Sequence, residues 1–146
     1  MRNFHLHLYG YPSPLPQLGP PLTGPDGELS TLRCDNLASG SFSVSFEETV
    51  AVLSAWPRMF VEMDGSFLWT GVAADLQAWQ IDGMLYDHSG RIQRVELQGA
   101  CPQAPLRQLL SAFAWPNAPL VAHLVDRQCF VDLADWFAFH YERAHR

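Results

Sequence analysis

A chain of 146 residues, 48% hydrophobic and 16% charged, has the size of one domain and enough surface to bury a core without a disulfide or metal staple. None of its nine basic residues is a lysine; this removes Schiff-base chemistry and the phosphate-reaching lysine of P-loop NTPases and protein kinases. A formal net charge of −6 opposes a nucleic-acid backbone, so nucleic acid is not an expected partner.

Phe4 to Tyr9 alternates strictly, Phe4, Leu6 and Leu8 on one side and His5, His7 and Tyr9 on the other, which predicts a strand for residues 1–10. Met1 to Gly10 holds no apolar run like a signal-peptide core, and no stretch of about 18 apolar residues follows. A small, bacterial-type cytoplasmic domain with no membrane contact is the expectation. Residues 11–27 carry Pro12, Pro14, Pro16, Pro20, Pro21 and Pro25 and read as a stiff strap laid across the domain. No two of these prolines are three apart, so the strap is not a PxxP ligand.

The main body spans 41–146. Phe42 to Val44 suggests a short strand, and Ser45 with Glu48 forms a capping box for a helix that must stop near Trp56, before Pro57. Asp64-Gly65 between apolar runs predicts a hairpin of Met59–Met63 with Ser66–Thr70. A second hairpin pairs Ala78–Tyr86 with Arg91–Gly99, with a bulge between Ile92 and Val95, where the alternation slips. Pro105 opens a helix with Leu106, Leu109, Leu110 and Phe113 on one stripe. Leu120–Val125 and Cys129–Val131 read as paired strands, and Asp132 caps a last helix carrying Leu133, Trp136, Phe137 and Tyr141. Hairpins interspersed with helices predict one α+β domain over residues 1–146, a mainly antiparallel sheet with about three helices packed on it. The five tryptophans each fall in or at the end of such an element and are expected in the core.

Four groups of residues invite chemistry. Cys101 and Arg107 satisfy the C-x5-R spacing of protein tyrosine phosphatases, but Pro102 and Pro105 remove amides that a phosphate cradle needs. His5 and His7 project to one side of a strand, a spacing that suits a metal, with His123 or Asp126 as third ligand. The stretch from His5 to Gly10 resembles the first metal strand of amidohydrolases, whose large barrel 146 residues cannot build. Half-exposed alternation explains the pair without metal, so neither metal nor cofactor is expected. His140 and His145 are five apart, not the four of a zinc-protease helix. Glu62, Asp82 and Glu96 fall on strands, where paired carboxylates could supply acid and base.

Cys34, Cys101 and Cys129 form no C-x-x-C pair and read as free thiols of a reducing compartment. Scarce charge implies hidden apolar surface, hence a homo-oligomer, with a two-fold dimer through Trp136 and Phe139 as the favoured arrangement. The leading expectation is a non-catalytic interaction or accessory domain that recognises itself or another protein by surface contact. The alternative is a small ligand-binding protein or enzyme on the sheet face, with His5, His7, Glu96 and Cys101 as its first suspects.

Overall fold

Strand β1 (Phe4–Gly10) buries Phe4, Leu6 and Leu8 and leaves His5, His7 and Tyr9 half-buried on the other face, as its alternation requires. In the computed structural model, which describes residues 1–142, β1 is the middle strand of a nine-stranded antiparallel sheet. To one side stand β9 (Arg91–Ala100), β8 (Ala78–His88), β7 (Ser66–Val72) and the edge strand β6 (Met59–Val61). To the other stand β10 (Leu120–Leu124), β11 (Cys129–Asp132), β5 (Leu32–Arg33) and the edge strand β2 (Gln17–Leu18). A separate hairpin pairs β3 (Leu22–Gly24) with β4 (Gly27–Leu29). Three helices complete the α+β fold: α1 (Phe46–Ser54), α2 (Gln103–Ser111) and α3 (Leu133–Tyr141).

One core joins the inward strand residues to the helices. Leu6, Leu8, Ile81, Leu85, Val95 and Leu97 meet Leu53 of α1, Leu106, Leu109 and Leu110 of α2, and Leu133, Trp136 and Phe137 of α3. Trp69, Trp115 and Trp136 are buried, while Trp56 and Trp79 pack against the core in part. Both sheet edges are strands of only two or three residues, which limits the unpaired backbone they offer to another chain.

Local chemistry accounts for the ends of the elements. The Ser45 hydroxyl accepts from the Glu48 amide while the Glu48 carboxylate accepts from the Ser45 amide, so the capping box starts α1. The β6–β7 hairpin closes at Glu62 and Ser66, with Gly65 at φ +96°. A Cβ at Gly65 would stand 2.6 Å from the Leu85 carbonyl oxygen, so glycine alone fits both the dihedral and the space. In the β8–β9 hairpin, Ser89 and Gly90 both take positive φ, the pattern of a type I′ turn. Tyr86 faces Arg94 and Asp87 faces Ile92, so Gln93 is the extra residue of the expected bulge.

Three details differ from the sequence reading. Phe42 to Val44 is not a strand; only Ser45 makes a single bridge, to Arg91, while Phe42 is held by edge-to-face packing on Phe113. Helix α2 begins at Gln103, two residues before Pro105, which sits in the first turn where its missing amide has no helical partner to lose. The strap is more than an extended strip. It supplies β2 at the sheet edge and the β3–β4 hairpin, which leans on α3 and buries Leu29. The Tyr11 hydroxyl donates to Asp132, whose carboxylate also accepts the Ala134 and Asp135 amides that open α3. One carboxylate thus fastens strap and helix together. All three cysteines are unpaired, and no helix among the described residues is long and apolar enough to cross a membrane.

Candidate metal centre

The outward residues of β1 and its neighbours form a polar face opposite the core. Register decides which side chains meet there. His7 lies directly between Glu96 on β9 and His123 on β10, and His5 is two residues along the same face. Glu96 Oε2 stands 2.7 Å from His5 Nε2 and 3.4 Å from His7 Nε2. Its other oxygen accepts a hydrogen bond of 3.2 Å from the Tyr86 hydroxyl on β8. One ligand atom from each of His5, His7 and Glu96 lies within 4.8 Å of the others. Their side chains are 20–27% exposed, sheltered but open to solvent.

The electrostatics favour the ligating forms of Glu96, His7 and His123. The hydrogen bond from His5 foremost, with help from His7 and Tyr86, holds the Glu96 carboxyl below the usual carboxylate range against the effect of burial. Burial pushes the His7 imidazole down; the Glu96 charge opposes this, and Arg94, His5 and His123 reinforce it. Burial and then His5 lower His123 in the same way. Neutral imidazoles beside an ionised carboxylate are what a divalent metal needs. A tetrahedral ion with bonds of about 2.0–2.1 Å holds its ligand atoms roughly 3.3 Å apart, so small side-chain rotations suffice to close the set. The hydrogen bond from Tyr86 fixes the carboxylate from behind, as outer partners of metal ligands do.

Next to this cluster the face turns cationic and aromatic. Arg94, two residues from Glu96 on β9, lays its guanidinium 4.0 Å from the centre of the Tyr86 ring. Its Nε is buried and has no hydrogen-bond partner among the described residues. A cleft of about 340 Å³ opens beside it, walled by Tyr9, Tyr86, Arg94 and Leu37 and Ala38 of the 3-10 turn Leu37–Ser39.

The other candidate residues lie elsewhere. Cys101 is buried, its thiol 3.7 Å from the Tyr141 hydroxyl, and burial pushes it up to about 11. That thiol does not ionise at neutral pH, and a nucleophile needs the thiolate. Arg107 is on the exposed side of α2, its guanidinium 4.7 Å from the Phe137 ring centre, so C-x5-R brings no phosphate grip to the sulfur. A recess of about 810 Å³ borders Cys101, Trp79 and Tyr141. Asp82 faces Gln98 and accepts from Gln80, and Glu62 is exposed at the β6–β7 loop, so neither joins Glu96. His123 packs at a tilt against Phe130, with ring centres 4.7 Å apart, on the far side of His7 from Glu96. Asp126 lies in the β10–β11 turn. Trp136 is 5% exposed and Phe139 is half-buried against the core. His140 is in the core, and His145 lies outside the described residues.

The sequence reading missed Tyr86 and Arg94. Their signal was present in the β8–β9 pairing, since the bulge at Gln93 sets the two side by side. Compared with models of known families, with curated proteins and with solved structures, the chain matches none of them.

Proposed function

We propose that this chain is a metal-dependent ligand-binding domain whose working surface is the uncovered face of its sheet. The convergence of His5, His7 and Glu96 within 4.8 Å carries this reading. Two imidazoles and one carboxylate suit a borderline divalent ion such as zinc. Three protein ligands on a half-exposed face leave a coordination position for water or a small ligand, the composition of sites that act on other molecules rather than brace a fold. The expectation of an interaction domain without metal stands beside this reading, which the grouping of His5, His7 and Glu96 favours.

Zinc titration of the reduced protein against a chromophoric chelator tests the reading. One zinc per chain is expected, with His7→Ala and Glu96→Gln each weakening it by about 100-fold or more. Equal zinc affinity in wild type and both variants overturns the assignment.

Self-association is a second, independent reading, and exposed apolar side chains favour it at a different place from α3. Phe60 on edge strand β6 is 63% exposed and Met63 at the hairpin tip is 97% exposed. A second copy meeting this edge buries both. Light scattering over a wide concentration range then shows a dimer for wild type and a monomer for Phe60→Asp. A monomer throughout for the wild type removes this reading.

A further inference from the structure

The metal cluster and the neighbouring cleft share one tyrosine. The Tyr86 hydroxyl donates to Glu96, and the face of its ring carries the Arg94 guanidinium. Arg94 and Glu96 are two apart on one strand and point to the same face, which sets their Cα atoms roughly 6.5–7 Å apart. One ring thus holds both groups, the guanidinium over its face and the Glu96 carboxylate at its hydroxyl.

Arg94 is held in place but not neutralised. Ion pairs among the described residues are Arg2 with Asp26 and Glu96 with His5 and His7; none includes Arg94. Its Nε is buried, so the two terminal nitrogens are the planar fork of donors it can present to an anion. Stacking on Tyr86 fixes the plane of that fork in advance. The acidic group at the cleft, Asp87, is turned to the hairpin, where its carboxylate accepts the Gly90 amide at 3.2 Å. Leu37 and Ala38 give the cleft an apolar wall suited to a short carbon chain. Its volume of about 340 Å³ is enough for a metabolite-sized molecule.

The geometry points to a small dicarboxylic acid as the ligand: one carboxylate on the terminal guanidinium nitrogens of Arg94 at the edge of the cleft, the other on the open position of a metal held by His5, His7 and Glu96. This assignment rests on the metal reading above for one of its two anchors, and Arg94 supplies the other independently.

Calorimetric titration of glutarate into the full chain, with and without one equivalent of zinc, separates the two anchors. Binding is expected to be at least tenfold tighter with zinc. Arg94→Lys, which keeps the charge but loses the fork, is expected to lose at least tenfold in glutarate affinity while zinc affinity and the denaturant midpoint stay as in wild type. Arg94→Gln is expected to lose more. Inorganic phosphate, titrated in parallel, is expected to bind more weakly than glutarate. If zinc fails to bind but glutarate binds in an Arg94-dependent manner, the anion subsite stands and the metal reading falls. Equal glutarate affinity in wild type and Arg94→Lys, or preference for phosphate over glutarate, overturns the proposal.

Discussion

The two faces of the sheet are built from the same strands, yet they answer to different physics. On the core face, alternate residues of β1, β8 and β9 are apolar and almost wholly buried, Leu8, Ile81, Val95 and Leu97 among them. Any residue of suitable size and apolarity serves there, because burial is non-directional. On the open face the same strands carry His5, His7, Tyr86, Arg94 and Glu96, which meet in specific pairs at hydrogen-bonding or stacking distance. On the proposed reading, stability resides in the first face and ligand binding in the second. Substitutions should separate the two cleanly.

The largest effect is expected in the core. Phe113 is fully buried and packs on Phe42, so Phe113→Ala should cost about 3–5 kcal/mol in denaturant unfolding, with zinc affinity of the folded fraction unchanged. A cost below about 1 kcal/mol would mean that this part of the core is not packed as described.

Next in size is an acid sensitivity of the core face. His140 is 5% exposed, stacked on Trp136 with ring centres 4.7 Å apart. Burial, with the Arg2 charge adding to it, pushes its imidazole down to about 4, against a hydrogen bond with the Arg2 backbone. The unfolded chain takes up this proton near pH 6.5 and the folded chain only near 4. The unfolded state binds more protons in that window, so stability is complete above it and falls as pH drops through it, by roughly 3 kcal/mol. Stability curves of wild type and His140→Phe from pH 7 to 4 check this: the variant should lose less on acidification, and parallel curves would rule out the buried neutral histidine.

Smaller again is the junction of strap and helix. Asp132→Ala removes both the cap of α3 and the acceptor for Tyr11, and should cost about 1–3 kcal/mol. Removing only the phenol oxygen, by Tyr11→Phe, should cost less than Asp132→Ala; the reverse order would mean that the strap contact outweighs the cap.

The smallest stability change belongs to the open face. His7→Ala should move the denaturant midpoint of the zinc-free protein by no more than about 0.5 kcal/mol equivalent, because its ring lies on the face away from the core, beside His5 and His123. A core-sized loss there would make the histidines structural and erase the contrast between the faces.

Much of this contrast was legible from local pattern. Alternation in Phe4–Tyr9 separated the faces of β1, Ser45 with Glu48 placed α1, and the slip between Ile92 and Val95 located the bulge. Those features depend on residues close in sequence. The site did not yield in the same way, because its strands are distant: His5 and Glu96 are 91 residues apart, and only the choice of β9 as neighbour of β1 joins them. Without strand order, the sequence sets His5, His7 and Glu96 among its first suspects but equally allows Glu96 to join Glu62 and Asp82, and the histidines to take His123 or Asp126 as third ligand. The strap's strands were hidden for another reason. Two or three residues between prolines are too few to show any period.

The most direct measurement is X-ray absorption at the zinc edge on the protein loaded with one equivalent of metal. The account predicts a first shell of nitrogen and oxygen only, at about 2.0–2.1 Å, with the outer-shell scattering of two imidazoles, lost on His7→Ala. A sulfur contribution at about 2.3 Å would place the metal on Cys34 or Cys129 instead, and would contradict the centre formed by His5, His7 and Glu96.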